Sequence, residues 1–337
     1  MLNIAQYTLT SPLLQAPMAG ITDRIYRDLV REHGAGLATS EMITSDLSLI
    51  GTKKTQARMP QIDEDSPRSV QIVGTDPAVM AEAAQFYISK GAELIDINFG
   101  CPVKKVAGSK HLAGSALLKD EKRVEQIMVR VVEATGSVPV TIKYRCGWNA
   151  KTRNATRIAQ IAENSGISAL ALHGRTREDR YKPYAEYETI RQVKQKTNIP
   201  VIANGDICDK EQAEFVLDYT QADGLMIGRA SFGRPWLFSQ LNQSLFGIKP
   251  TSDITLQHKR EVALRHVTRI HQVYDVKPSD NRSSPTVGRA RIVNKVINWY
   301  LLNMSVQTDY RPRLLNCRTP GQQLSVFKEA LEATTTL

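Results

Sequence analysis

Residues 94–105 read LIDINFGCPVKK. A near-continuous apolar run meets a glycine, a cysteine and a proline, so a buried strand ends there and the backbone turns at once. The same transition recurs along the chain. LLQAPM (13–18), LATSEM (37–42), SVQIVG (69–74), PVTIKYR (139–145), ALALHG (169–174), PVIANG (200–205) and GLMIGR (224–229) bring the runs to eight. Helical patterns lie between them, as in 77–91, 121–135 and 210–219, with Asp76 and Asp209 where N-caps belong and Gly91 and Gly136 where C-terminal glycines belong. Eight such units in about 240 residues predict an α/β chain folded as a (β/α)8 TIM barrel. A doubly wound sheet would place GxGxxG after its first strand. The nearest match, GAGLAT (34–39), precedes a strand and lacks the last glycine.

Beyond Leu241 the strand pattern stops. Helical periodicity covers 253–274, 289–304 and 322–334, and the polar, proline-bearing stretch 275–288 reads as a mobile loop. The expected division is a barrel over 1–240 and a small all-helical domain over 241–337. Charge follows that division. The net is +10, and the last 97 residues hold 14 Lys/Arg against 7 Asp/Glu, a net of +7. A basic appendage on a near-neutral body suits a polyanion, nucleic acid being the commonest; a solvated basic face is the alternative.

Composition is that of an ordinary globular protein, 42% hydrophobic and 23% charged. No apolar run approaches the roughly 20 residues of a membrane span, and the N-terminus has no basic, apolar leader pattern. Cys101, Cys146, Cys208 and Cys317 are far apart without a CxxC pair, so neither zinc nor a disulfide framework is expected. The expected setting is a monomer without metal in a reducing cytoplasm.

Chemistry in such barrels collects at the C-terminal ends of the strands. Here those ends carry Met18 and Ala19, Glu41, Gln71, Asn98 with Cys101, Lys143 with Arg145, His173, Asn204 with Asp206, and Gly228 with Arg229. The turns after the last two strands suit a phosphate held by backbone N–H groups, with Arg229 or His173 supplying charge. Lys143 has two readings: a Schiff-base lysine, or a cation beside an electron-rich ring. Cys101 also has two: a small buried hydrophobe, or a proton donor facing substrate.

With these residues in place, the chain resembles the tRNA-dihydrouridine synthases, most closely the bacterial B-type branch. The likeness runs through APMAGITDR (16–24), QIVG (71–74), INFGCPVKKV (97–106), AGSALL (113–118), HGRTR (173–177), PVIANGDI (200–207) and GRASFGRPW (228–236). It implies reduction of the uracil C5=C6 bond in tRNA, with FMN bound and NADPH (or NADH) as reductant. It further implies that Pro17, Met18 and Ala19 lie along the flavin, Gln71 bonds its pyrimidine edge, and Lys143 stands near N1–C2=O. His173, Asn204, Gly205, Asp206, Gly228 and Arg229 would hold the ribityl chain and phosphate. Asn98 and Arg145 would contact the uracil, with the hydride going to C6 and Cys101 giving a proton to C5.

Lys259, Arg260, Arg265, Arg269, Arg289, Arg291 and Lys295 would grip the RNA backbone. Two departures from the family pattern stand out. Asn294-Lys295-Val296 precedes Trp299-Tyr300 where relatives carry Arg-Lys-His, and the loop after Cys101 is about two residues longer. The competing functions are an FMN oxidoreductase of a free pyrimidine or other small molecule, a flavin-free lyase using Lys143, and a non-catalytic RNA-binding relative.

Overall fold

The computed structural model describes residues 1–56, 58–103, 113–182, 184–274, 285–306 and 309–334. Strands β1 (Leu2–Ile4) and β2 (Tyr7–Leu9) form an antiparallel hairpin. A ring of parallel strands follows. It comprises β3 (Leu13–Gln15), the pieces β4 (Leu37–Ala38) and β5 (Ile43–Thr44), β6 (Ser69–Val73), β7 (Leu94–Phe99), β8 (Val140–Arg145), β9 (Ala169–His173), β10 (Val201–Asn204) and β11 (Gly224–Ile227). Strand β11 pairs with β3, and the Thr39–Ser69 bridge links the broken second strand to β6, so the sheet closes on itself. The expected (β/α)8 barrel is the fold.

Side chains alternate across this sheet with period two. Ile95, Ile97, Phe99, Ile142, Tyr144, Leu170 and Leu172 face outward into the main core beneath the helices. Leu14, Ala16, Leu37, Leu94, Ala169, Ala171, Ile202 and Met226 form a second cluster with Leu2, Ile4 and Leu9 of the hairpin. The barrel floor is therefore apolar and stoppered by the N-terminal residues. Farther along the same inward rows come Asp96 and Asn98 on β7 and Thr141, Lys143 and Arg145 on β8. The polar layer sits at the mouth because strands that begin apolar finish polar.

The helices between strands have the expected caps. Asp76 accepts from Ala78 N and Val79 N at the start of Pro77–Ser89, and Asp209 accepts from Gln212 N at the start of Lys210–Thr220. Gly91 and Gly136, just past their helices, have positive φ. The helix Leu237–Phe246 then carries the chain across residue 241, and the described residues beyond it form no strand.

The tail is built from helices Leu256–Tyr274, Pro285–Asn303, Arg311–Leu315 and Pro320–Glu332. Here one expectation is corrected: residues 285–288, read as loop, belong to a helix. Proline is well suited to a first helical turn, where its missing N–H would have no intrahelical acceptor. Residues 275–284 lie outside the described residues.

The tail is packed against the barrel by an aromatic seam. Tyr26 stacks on His266 at 5.6 Å, His266 Nδ1 lies 2.9 Å from the Tyr300 hydroxyl, and Tyr26 donates to Ser231 O at 2.7 Å. Phe232 stacks on Trp299 at 4.3 Å. At Gly233 (φ +62°) a Cβ would fall 2.4 Å from Trp299 C, so only glycine admits this approach. Burial pushes His266 down to about 3, so it is a neutral packing group.

Candidate active site

The turn after β7 is held by its own asparagine. Asn98 Oδ1 accepts from Gly100 N at 3.0 Å and Cys101 N at 2.9 Å. Arg145 Nε donates to Gly100 O at 2.8 Å, and Ser115 Oγ donates to Cys101 O at 2.7 Å. Cys101 is half-buried, beside the mouth rather than sealed in hydrocarbon. Burial pushes its thiol up, only partly offset by Val103 N–H and by the charges of Arg145 and Lys143. At neutral pH the group is therefore a thiol with a proton to give. The loop that follows, 104–112, lies outside the described residues.

Lys143 stands beside Asn98 in the strand register and donates to Asn204 Oδ1 at 2.9 Å. Asn204 in turn donates to Met226 O at 2.7 Å. Burial and the nearby Arg145 bring Lys143 down to about 8, so it remains a cation at neutral pH. Below that value Lys143 is protonated in both folded and unfolded chains. Between about 8 and its ordinary 10.5 the unfolded chain binds more protons, so stability rises with pH through this window. K143M should flatten that rise; thermal melts of both proteins from pH 7 to 10.5 check it.

The neighbouring part of the mouth, beyond β9, β10 and β11, is also cationic. Arg175 is buried, approaches His173 Nε2 at 3.2 Å, and pairs with Asp206. Arg229 pairs with the other Asp206 oxygen at 3.0 Å, and Ala185 N donates to that carboxylate at 2.9 Å. Burial and four surrounding cations, Lys143, Arg145, Arg175 and Arg229, hold His173 well below its usual range. Gly205 (φ +131°) brings the backbone against the His173 ring, and Asp206 itself has φ +49°. A neutral imidazole, two guanidinium groups flanking the Asp206 carboxylate and closely folded main chain meet at this corner, where the cations outnumber the carboxylate and could hold an anion.

Arg175 escaped the residue-by-residue sequence reading. Its signal was the first arginine of HGRTR, two positions beyond a strand end, where the inward row continues.

Pro17 and Met18 are half-buried and Ala19 is exposed, on the turn after β3. Glu41 holds that turn by accepting from Gly20 N at 2.6 Å and pairing with Arg58. Gln71 is buried and bonded to both Asp96 and Asn98. The barrel mouth thus brings together most of the residues expected for cofactor and uracil.

A dihydrouridine synthase family model matches residues 14–335. The chain belongs to the dihydrouridine synthase family. It is 44% identical to tRNA-dihydrouridine synthase B of Shewanella oneidensis over 97% of each chain, and 45% identical to that of Escherichia coli K12 over 98% of each. Among solved structures, an old yellow enzyme homologue from Zymomonas mobilis superposes with TM-score 0.53 at 13% identity, covering 77% of this chain and 94% of its own. Morphinone reductase gives 0.52 at 14%, covering 74% and 91%. These structural likenesses concern the barrel fold alone.

The tail residues of this family member divide into two groups. Arg265 pairs with Glu32 and Arg269 with Asp28 at 2.8 Å, both on the barrel's first helix, Arg24–Glu32. Arg260 donates to Thr334 O at 2.6 Å, capping the last helix. These three guanidinium groups have partners within the molecule. Lys259 lies over Trp236 at 5.8 Å and Lys295 over Trp299 at 4.9 Å, with Lys295 exposed. The side chains of Arg289 and Arg291 lie outside the described residues. At the two departures, Asn294 accepts from Gln323 at 2.7 Å and Val296 is buried, so both serve packing within the tail.

Proposed function

We propose that this chain reduces specific uridines of tRNA to 5,6-dihydrouridine, with FMN as its bound cofactor and NADPH (or NADH) as the source of electrons. The observation that carries the reading is a protonated, half-buried thiol fixed at the rim of a barrel mouth whose other residues are cations and hydrogen-bond donors. That donor set fits FMN: a corner at His173, Arg175, Gly205 and Arg229 for its phosphate, and Lys143 on the neighbouring strand for a ring that becomes negative. Pro17, Met18, Ala19, Gln71, Asn204, Asp206 and Gly228 complete the cofactor set. When bound and reduced, FMN supplies the hydride that goes to uracil C6.

The chain's own residues do the rest. Cys101 Sγ–H gives its proton to C5, and the nearby cations Lys143 and Arg145 stabilise the thiolate that is left. Lys143 favours negative charge on its side of the mouth. Arg145 has carbonyls of Gly100, Thr176 and Arg180 as acceptors, so its guanidinium is fixed before a base arrives. Asn98 has one N–H engaged with Gln71, its carbonyl engaged with the turn, and its second N–H on the weak acceptor Met42 Sδ at 3.8 Å, a contact that a uracil carbonyl would displace. A base must leave its stack to reach this mouth, so an unpaired loop nucleotide is the natural substrate.

The barrel over 1–240 binds cofactor and base, and the basic tail over 241–337 holds RNA backbone through Lys259, Lys295, Arg289 and Arg291. Arg260, Arg265 and Arg269 contribute to the same positive face while securing it. Affinity for tRNA should fall about a hundredfold between about 50 and 200 mM salt, the loss for roughly four phosphate contacts. Filter binding across that range checks it, and a flat response would remove the tail from the interface. The activity itself is tested by incubating the FMN-loaded protein with NADPH and unmodified tRNA. Dihydrouridine should form in tRNA and not in free uridine, whereas equal turnover of free uridine would point to a small-molecule oxidoreductase.

A further inference from the structure

A chain of hydrogen bonds runs from the barrel interior to the cysteine turn. Asp96 lies buried on β7, one inward position below Asn98. Its Oδ1 accepts from Thr141 Oγ1 at 2.7 Å and its Oδ2 accepts from Gln71 Nε2 at 2.6 Å. Gln71 Oε1 accepts from Asn98 Nδ2 at 2.7 Å. Asn98 Oδ1 accepts from the backbone N–H groups of Gly100 and Cys101.

The two ends of this chain fix its direction. Burial raises the Asp96 carboxyl above its ordinary range, opposed by the hydrogen bonds from Thr141 and Gln71 and by the charge of Lys143, all of which favour the carboxylate. As a carboxylate it can only accept, and a backbone N–H can only donate. Each amide between them has one orientation that satisfies both neighbours. Turning either one would set two acceptors, or two donors, face to face in a buried site, where an unsatisfied polar group carries its full desolvation penalty. Gln71 and Asn98 are flexible amides that could otherwise bond either way. Asp96 removes that freedom.

We propose that Asp96 is a positioning residue. As an obligate acceptor in the barrel interior, it fixes the orientation of the Gln71 and Asn98 amides and, through Asn98, the place of the turn that carries Cys101. Its effect on turnover rests on the reading of Cys101 as the proton donor, whereas its effect on the turn does not. Leucine at this position fills similar space and cannot accept. Asparagine keeps an acceptor for Gln71 while its NH2 meets the Thr141 hydroxyl, which can accept in turn.

The test uses FMN-loaded full-length D96L and D96N. The first readout is the rate of Cys101 alkylation by iodoacetamide, followed by peptide mass spectrometry with the exposed Cys208 as internal reference. The second is kcat and KM on unmodified tRNA. In D96L the Cys101 rate should change at least about fivefold relative to Cys208. Its kcat should fall about a hundredfold with KM for tRNA within about twofold, the cost of a reacting group displaced by about 1 Å. D96N should stay within about threefold on both readouts.

D96L/Q71L, which replaces a bonded pair by two apolar side chains, supplies a second cut that the fold tolerates. It should alter Cys101 alkylation no more than D96L alone, as expected where residues act in one chain. An unchanged Cys101 rate in both D96L and the double variant would overturn the proposal, as would a D96N defect as deep as that of D96L. If alkylation changes as expected and kcat does not, the link from Asp96 to the turn stands and the assignment of Cys101 as proton donor fails.

Discussion

Replacement of Cys101 by alanine is expected to lower uridine reduction at least about a hundredfold, the usual worth of a positioned proton donor. The loss should lie in chemistry. The turn is held by Asn98 Oδ1 on the Cys101 backbone N–H and by Ser115 on its carbonyl, neither of which involves sulfur. FMN should therefore remain bound and tRNA affinity should be preserved. Stopped-flow mixing of reduced protein with tRNA separates this step from reduction by NADPH. The pH profile gives a second view: activity should hold through neutral pH and fall once the thiol, raised by burial, loses its proton. A C101A protein that oxidises its flavin on tRNA at the wild-type rate would end the assignment.

G205A should yield protein that loses FMN during purification. At φ +131° a side chain is strained, and the added methyl would stand 2.6 Å from Ala185 Cβ and 3.4 Å from His173 Cδ2. Such a backbone conformation costs about 1–3 kcal/mol for a residue with a Cβ, or roughly 5- to 150-fold in an equilibrium. The relief available is a shift of main chain at the anion corner, so the cost should fall on FMN affinity. Flavin fluorescence titration of the stripped protein measures that affinity, and melting of the stripped protein reports any loss of stability separately. A yellow G205A protein with unaltered affinity would place the phosphate elsewhere.

How much of this could be read from sequence depended on whether a residue's partners were local. The barrel was legible because strands buried on both faces leave long apolar runs, and β7 to β11 sit within the runs that announced them. The split of the second strand was not. Glu41 leaves the ladder to bond Gly20 N and Arg58, residues that periodicity cannot connect to it. The hairpin of residues 2–9 was missed because two three-residue strands are too short to show a period.

The candidate site followed the same rule. Cys101 stands beside the strand that positions it. Arg175 gained meaning only when folding brought Asp206 within its reach. Arg265 and Arg269 read as free cations because Glu32 and Asp28, which they meet, lie more than 230 residues earlier. Only the first turn of the helix Pro285–Asn303 was read as loop, because proline and serine punctuate sequence more often than they begin helices.

The pairing of β11 with β3 joins residues about 212 positions apart. On the ribosome, at about 5–20 residues per second, β3 waits roughly 10–40 s for the neighbour that completes its second edge. Throughout that interval it presents unsatisfied backbone groups, a ready template for pairing with another chain. Yield of this protein in the cell should therefore respond to growth temperature and to chaperone supply more than its finished stability would suggest. The vulnerable species is the nascent half-ring, and what rescues it is the arrival of the last strand.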